Sequence, residues 1–363
     1  MSGDWNWRSL NLGALAAFAV GSVGCGLGAT VDLDGFSRAW LCAYLFWLGL
    51  PLCGVTLVLV HDLTGGNWMA SARPALNAAI ATMPLAALAG IPAFVRLHAL
   101  YHWVDPGRQL DNAFYLNSAA FYLRYAIDVA LWCLIAAFAL WTPRGAATPI
   151  APARSWISAI GLIALALSAS FASIDWILSL EPAFWSSIFP MIVAAGWFNA
   201  GLALVVLAMA AAGVERRHMA DLAAILLGTT IFWAYVEFMQ FLIIWEENLK
   251  TEIQWYLPRF AGIWLPTAFV GLALGFVVPF FVFVTTAGKH SRAAVAAVCA
   301  AILASRVADQ WWLVLPEFSP GGPFWLDVAA MLALGGLMLL LFFAGLRARW
   351  SAAATATLAR RHG

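Results

Sequence analysis

Long apolar runs alternate with short polar segments along the whole chain, and ten of these runs are long enough to cross a lipid bilayer. The hydrocarbon core of a bilayer is about 30 Å thick, so a helix needs roughly 20 mainly apolar residues to span it. We place the predicted spans near residues 10–31, 38–60, 76–98, 117–141, 155–179, 184–213, 219–245, 260–287, 291–314 and 325–347. Turn-forming residues separate several of them, at 64–66, 142–145 and 319–323. The pattern predicts an all-α integral membrane protein with about ten transmembrane helices in one polytopic domain, residues 1–363.

Composition supports this class, because 64% of the 363 residues are hydrophobic and only 10% are charged. A soluble domain would carry about a quarter charged residues. The net charge of +1 gives no reason to expect a nucleic-acid partner. The five cysteines form no Cys-x-x-Cys pair, which excludes a cysteine-ligated zinc or iron–sulfur site and argues against a disulfide framework. The six histidines lie near span ends or in loops, so neither a haem at membrane depth nor another metal site is expected.

Basic residues predict the orientation of the spans. With the N-terminus in the cytoplasm, the inner segments hold twelve lysines and arginines and the outer segments hold five. Cytoplasmic loops of membrane proteins carry such an excess of positive charge. We therefore expect a multi-pass protein with both termini in the cytoplasm, which the even number of spans allows.

Charged side chains within the predicted spans are the main functional signal. Each one costs at least about 2.5–3.5 kcal/mol to insert at the bilayer centre, so it needs a partner or a task. They lie on the fourth, fifth, seventh and ninth spans and all fall in the outer half of the membrane: Arg124, Asp128, Asp175, Glu237, Arg306 and Asp309. At 1.5 Å rise per residue, Asp128 lies roughly 16 Å below the outer boundary. A one-sided polar pocket of this kind suits a quinone headgroup or a proton half-channel.

Quinol oxidation releases two protons, which carboxylates beside the headgroup could accept and pass on. We predict that the proton-transfer groups are Asp128, Asp175, Glu237 and Asp309. The predicted contacts of a quinone headgroup are His98, Tyr122, Arg124, Gln240 and Arg306. No residue of this chain alone is predicted to be catalytic.

The same residues also allow a structural interpretation. The pairs Arg124–Asp128, four residues apart, and Arg306–Asp309, three apart, could be neutralised pairs that fix helix packing. Asp175 and Asp309 lie close enough to the outer boundary to be partly solvated. Glu237 has no charged partner at helical spacing in its own span, so this interpretation explains it least well.

Four blocks of the sequence resemble a known family. The strings HDLTGGNW at 61–68, YLN at 115–117 and FYLR at 121–124 are similar to segments of the NrfD-like (polysulfide reductase C-like) quinol-interacting membrane subunits. The most specific match is DWILSLEP at 175–182 with WSSIF at 185–189. The next is FMQFLIIW at 238–245 with IQWYL at 253–257. The blocks occur in the family's order over roughly residues 40–345 and look most similar to ActF-type subunits of alternative complex III.

The resemblance implies two four-helix bundles, formed by the second to fifth and the sixth to ninth helices, with two flanking helices. It implies a bacterial inner membrane and a quinol:electron acceptor oxidoreductase. The partners would be iron–sulfur and cytochrome c subunits and a second NrfD-like membrane subunit. These partners would carry haem and iron–sulfur clusters, whereas this chain would at most bind a quinone or quinol. His61 and Asp62 would take up protons at the inner face, although many relatives carry a second histidine in place of Asp62.

Two other function classes remain open. A structural membrane anchor for peripheral redox subunits predicts that the outer-half charges can be replaced pairwise with little effect. A secondary transporter is suggested by prolines that interrupt or flank the spans, although transporters usually place polar groups near the midplane.

Overall fold

A computed structural model of the chain describes residues 7–66, 69, 71–105, 107, 112–141, 152–318 and 324–362, with side chains as far as residue 349. Within these ranges the regular secondary structure is helical and contains no strand. Ten of its segments are long and apolar enough to cross a membrane: α1 (Trp7–Val31), α2 (Leu33–Thr64), α3 (Arg73–Phe94), α4 (Ser118–Leu140), α5 (Pro152–Leu180), α6 (Phe189–Ala211), α7 (Arg216–Glu247), α8 (Trp264–Phe283), α9 (Arg292–Phe318) and α10 (Phe324–Arg349). The chain is a multi-pass membrane protein, and the predicted all-α fold is confirmed. The predicted turns at 142–145 and 319–323, and Asn67 and Trp68 of the first matching block, lie outside the described residues.

The observed segments overlap all ten predicted spans, and their ends differ by a few residues. The largest differences at a start are in α2, which begins at Leu33 rather than near 38, and in α6, which begins at Phe189 rather than near 184. Segment α3 consists of three short helices, Arg73–Ile80, Met83–Ala89 and Ile91–Phe94. Pro84 and Pro92 stand in the first turns of the second and third of these helices. Proline lacks the backbone N–H that would continue the preceding helix, so α3 is broken at both positions.

Segments α2–α5 and α6–α9 form the two expected four-helix bundles, and α2 packs against α6 where the bundles meet. The contact is close, because a Cβ at Gly49 would lie 2.5 Å from the carbonyl oxygen of Trp197, and one at Gly201 would overlap the Gly49 carbonyl. The flanking segments α1 and α10 pack along each other, with Gly21 against the backbone of Ala333. Small residues allow such close approach where packing replaces the hydrophobic effect.

Successive segments run in opposite directions, so their ends alternate between two membrane faces. We name the terminal face as the one where α1 begins and α10 ends, with Arg8 and Arg347 lining one groove. The opposite face is the loop face, where α5 ends and α6 begins, and it carries the surface helix Lys250–Arg259. The chemistry predicted for the outer half lies towards the loop face. The cytoplasmic location of the terminal face remains a prediction.

Candidate functional site

Arg124 on α4 forms a two-point ion pair with Asp175 on α5. Its Nε lies 2.6 Å from Asp175 Oδ2, and its Nη2 lies 2.9 Å from Oδ1. Its Nη1 donates to the Tyr115 carbonyl at 3.0 Å, and the guanidinium stacks on the Tyr115 ring at 3.9 Å from the centroid. The Asp175 side chain is 1% exposed, and the Arg124 side chain is 18% exposed. The pair therefore joins two helices in a site with little access to water.

The spacing of four residues on α4 suggested that Arg124 pairs with Asp128. In the structure Arg124 pairs with Asp175 instead. Helical side chains point towards the N-terminus of their own helix. Because α4 begins at the loop face, the Arg124 guanidinium extends towards that face and away from Asp128. It meets Asp175 there, since α5 ends at the same face.

Asp128 is left as a second carboxylate below this ion pair. It is 4% exposed, and its Oδ2 is buried without a hydrogen-bond donor among the described residues. It interacts electrostatically with both Arg124 and Asp175. We call Arg124, Asp128, Asp175 and Tyr115 the first cluster.

The hydroxyl of Tyr115, just outside α4, is a candidate hydrogen-bond donor. Burial raises the pKa of this hydroxyl above its usual range, and the charge of Asp175 raises it further. The phenol therefore stays protonated at neutral pH. Tyr101, also outside the spans, donates to the Trp176 carbonyl at 3.0 Å and has its pKa raised mainly by burial. Tyr101 thus acts as a fixed donor at the loop-face end of the first bundle, and the Tyr115 hydroxyl keeps its proton close to Asp175.

The second bundle holds a similar set of groups around Arg306 on α9. Its Nη1 lies 3.3 Å from Asp309 Oδ2, so the pair predicted from the spacing of three residues is present. Its Nη2 donates to Ser305 Oγ at 3.0 Å, and the guanidinium stacks on Trp233 at 3.5 Å from the ring centroid. Arg306 is 1% exposed, so its charge is held almost entirely within protein.

Glu237 on α7 is the additional carboxylate of this second cluster, which comprises Glu237, Arg306 and Asp309. Its Oε2 is buried, and no described residue donates a hydrogen bond to it. Its electrostatic partners are Asp309, Arg306 and Arg259. Glu237 has no charged partner on its own helix, as predicted. Segment α9 supplies a cation, Arg306, and a second carboxylate, Asp309.

Segment α8 changes its helical geometry beside this cluster. Residues Ala273–Val277 form a π-helical turn, a feature that is frequent at functional sites. A Cβ at Gly275 within this turn would lie 2.7 Å from Arg306 Nη2 and would overlap Ser305 Oγ. Ser305 in turn donates to the Gly271 carbonyl at 2.7 Å. The absence of a side chain at Gly275 therefore lets α8 approach the arginine closely.

A layer of polar contacts covers the second cluster at the loop face. Gln240, predicted to contact a quinone, instead accepts from Ser186 at 2.7 Å and donates to the Tyr256 hydroxyl at 3.3 Å. Arg259 is completely buried, lies 2.6 Å from Glu317, and donates to the Leu313 carbonyl at 2.6 Å.

Arg259 is one of the five basic residues in the outer segments, and its burial was not predicted from the sequence. The signal for it was Trp255, four residues earlier on one surface helix, since residues at this spacing are neighbours. The Arg259 guanidinium stacks on that ring at 3.2 Å. Burial lowers the pKa of Arg259 to about 10, and Glu317 opposes this shift. Arg259 thus remains charged at neutral pH.

Two residues predicted to contact a quinone headgroup lie outside the clusters. His98 is exposed on the short helix Leu97–Leu100. Tyr122 is 43% exposed, and its hydroxyl donates to the Phe94 carbonyl at 2.9 Å. Within the described part of the chain, neither forms a hydrogen bond or ion pair with the first cluster.

His61 and Asp62 lie at the terminal face, where α2 ends. Asp62 is buried, forms an ion pair with Arg154 at 2.8 Å, and accepts from Ser158 at 3.0 Å. The Nε2 of His61 lies 3.0 Å from the Gly66 carbonyl oxygen. The two adjacent residues therefore make separate contacts.

The single pocket expected from the sequence is divided between the two bundles. Each cluster contains one arginine and two aspartate or glutamate carboxylates in the half of the membrane next to the loop face. Each also takes one aspartate from the last helix of its bundle, Asp175 on α5 and Asp309 on α9. Among the described residues, no group of three His, Cys, Asp or Glu side chains is placed to hold a metal ion. Neither models of known protein families nor the curated proteins match this chain.

Proposed function

We propose that this chain is a membrane subunit of a quinol-oxidising respiratory complex, of the alternative complex III type, and that its two clusters transfer protons. The observation that carries the proposal is the composition of each cluster. One guanidinium is enclosed with two carboxylates, Asp128 and Asp175 in one bundle and Glu237 and Asp309 in the other. With all groups ionised each cluster has a net charge of −1, and with one proton bound it is neutral.

A buried cluster that becomes neutral on binding a proton is suited to accept and release one. Charge is expensive in a low-dielectric environment, so the protonated state avoids a net charge in the membrane. The unpartnered oxygens, Asp128 Oδ2 and Glu237 Oε2, are the atoms at which a proton would bind, since the other carboxylates already accept from arginine. Protons released by quinol oxidation at the loop face would reach these oxygens within the outer half of the bilayer.

The electrons need other carriers. Two electrons leave each quinol with its two protons, and iron–sulfur and cytochrome c subunits would accept them. A second NrfD-like subunit would share the quinol contact. In this proposal the membrane is the bacterial inner membrane, and the terminal face, with both termini, lies in the cytoplasm.

A structural anchor is the second candidate function, and the ion pairs between different helices favour it. Arg124–Asp175, Arg259–Glu317 and Asp62–Arg154 each join different elements at 2.6–2.8 Å. An anchor needs such contacts, but it has no use for the additional carboxylates Asp128 and Glu237. The anchor therefore explains the ion pairs and leaves these two residues unexplained.

The test is Glu237→Gln in the complex purified from its native membrane and reconstituted into proteoliposomes. The amide keeps the shape of the side chain and removes its ability to bind and release a proton. We expect quinol oxidation to slow by about 100-fold, the lower end of the effect of a lost proton-transfer group, or the proton yield per quinol to fall. Glu246→Gln, an exposed position on the same helix, is the matched control and should change neither quantity.

The outcomes separate the candidates. A loss confined to Glu237→Gln, with all subunits still assembled, supports proton transfer. Unchanged turnover and coupling in an assembled complex would assign the chain to the anchor class. Purification of the chain without redox subunits, combined with solute uptake by the chain alone, would favour a transporter.

A further inference from the structure

A cavity of about 640 Å³ opens at the loop face, between the second bundle and the flanking segment α10. It is lined by the first turns of α2, α8 and α10 and by the last turns of α9. Val270 is six residues into α8, so the cavity reaches roughly 9 Å below the start of that helix at 1.5 Å per residue. Its depth therefore covers the headgroup level and the upper part of the hydrocarbon region.

Two opposite charges line this cavity without pairing. Arg38 contributes a guanidinium that lies over the Phe318 ring at 4.8 Å, and its Nε is buried with no acceptor among the described residues. Asp327 is 7% exposed, and in the described structure it has no ion pair or hydrogen bond with another side chain. Trp311 adds a buried indole Nε1–H that also lacks an acceptor within the described ranges. Neither Arg38 nor Asp327 has an opposite charge as a partner among the described residues, and the Asp327 carboxylate accepts from its own backbone N–H. Largely buried charges without an opposite charge beside them are costly, which indicates that a ligand completes them.

The remaining lining is apolar and aromatic apart from Thr267, whose hydroxyl donates to the Ile263 carbonyl. Trp264 and Phe324 stand with Trp311 near the charged groups, and Val270 and Ala308 lie deeper towards the membrane interior. Aromatic rings stabilise a nearby ammonium group through their electron-rich faces. Aliphatic side chains at greater depth suit an acyl chain. The cavity thus offers a site for a cation, a site for an anion and an apolar continuation.

We propose that this cavity binds one phospholipid with a zwitterionic headgroup that bears a primary amine, of the phosphatidylethanolamine class. The ammonium group would donate to the Asp327 carboxylate beside the aromatic rings. The phosphate oxygens would accept from the guanidinium of Arg38, which lines the cavity. A phosphatidylglycerol headgroup leaves Asp327 without a cation, and a quaternary choline headgroup has no N–H to donate. This site is separate from the two clusters and does not depend on the proposed function.

The test measures lipid binding to the delipidated full-length chain, with any subunits that accompany it, by native mass spectrometry. The probes are phosphatidylethanolamine, phosphatidylcholine and phosphatidylglycerol with identical acyl chains. We expect one phosphatidylethanolamine to bind about tenfold more tightly than either other lipid, the value of a charge-assisted hydrogen bond. This comparison uses only the unmodified chain, so it does not depend on whether a variant folds.

Two variants assign the contacts. Asp327→Asn should abolish the preference for phosphatidylethanolamine over phosphatidylcholine, and Arg38→Gln should weaken all three lipids alike because each carries a phosphate. The matched control is Asp34→Asn, an aspartate at the same face that is half-exposed and paired with Arg96. It should leave the preference intact. Equal binding of the three lipids, a preference that survives Asp327→Asn, or displacement of the bound phospholipid by a quinone would overturn the proposal.

Discussion

Replacing Asp175 by Asn tests whether the ion pair with Arg124 holds α4 and α5 together. The Asn side chain keeps the size of the carboxylate but accepts at only one position and carries no charge. Arg124 would then keep the Tyr115 carbonyl and ring as partners, keep at most one hydrogen bond to the amide oxygen, and lose the charge opposite it. The expected result is a large loss of stability with the helices otherwise unchanged.

The magnitude follows from the burial of the pair. Removing one partner of a fully buried ion pair costs about 3–5 kcal/mol, because the other charge is left uncompensated. Arg124 retains 18% exposure and interacts electrostatically with Asp128, so water and this second carboxylate compensate part of its charge. We therefore expect Asp175→Asn to lower the free energy of unfolding by about 2–4 kcal/mol. Arg124→Gln should cost a similar amount, and the double variant should cost less than the sum of the two.

Reversible unfolding in mixed micelles of a mild detergent and dodecyl sulfate measures these differences as a double-mutant cycle. The matched control is Arg96–Asp34, which has the same residue types at the same membrane face and a distance of 2.8 Å. Its side chains are 35% and 43% exposed, so its coupling energy should be about 0.2–1 kcal/mol. Equal coupling in the two cycles would refute the reasoning that burial decides the strength of the pair.

Two further substitutions test the second bundle. Gly275→Ala places a Cβ against Ser305 Oγ and should lower the free energy of unfolding by about 1–3 kcal/mol. The control Gly26→Ala has open space around the added methyl group and should not lower it. Equal effects of the two variants in mixed-micelle unfolding would contradict the role of Gly275 in packing. Glu317→Ala leaves the buried Arg259 without its carboxylate and should cost about 3–5 kcal/mol. Burial lowers the pKa of Arg259 to about 10 with Glu317 in place, and removal of Glu317 lowers it further, so the variant loses the Arg259 proton at a lower pH than the unmodified chain. The stability loss should therefore be full at acidic pH and should decrease as the pH rises towards 10, and a loss that increases with pH would contradict the assignment.

The spans could be predicted from the sequence because hydrophobic length is a local property. Each apolar run carries its own signal, and the bilayer fixes the length that a helix needs. The breaks in α3 have an equally local cause in Pro84 and Pro92. The π-helical turn at Ala273–Val277 has no such signal, since it depends on the packing of α8 against Ser305 and Arg306.

The partners of the charged residues could be predicted only in part. Spacing along one helix correctly suggested Arg306–Asp309 but gave Arg124 the wrong partner, because Asp175 comes from another helix. The contact depends on which helices are neighbours and at which face each one ends. Arg259 shows the same limit, since a surface helix folds back over the bundle and buries a residue that the sequence places in a loop.

The two additional carboxylates distinguish a proton-transfer subunit from an anchor through stability as well as activity. An ion pair alone would satisfy packing, and each further charge in the membrane carries an insertion cost of about 2.5–3.5 kcal/mol on insertion scales. Glu237 has an oxygen with no donor among the described residues, so it contributes that cost without a compensating hydrogen bond. Glu237→Gln should therefore leave the free energy of unfolding unchanged or raise it, while proton transfer falls, as expected when a functional group is retained at the expense of stability. If the same variant instead destabilises the chain, Glu237 is part of the packing, and the loss of activity would no longer indicate proton transfer.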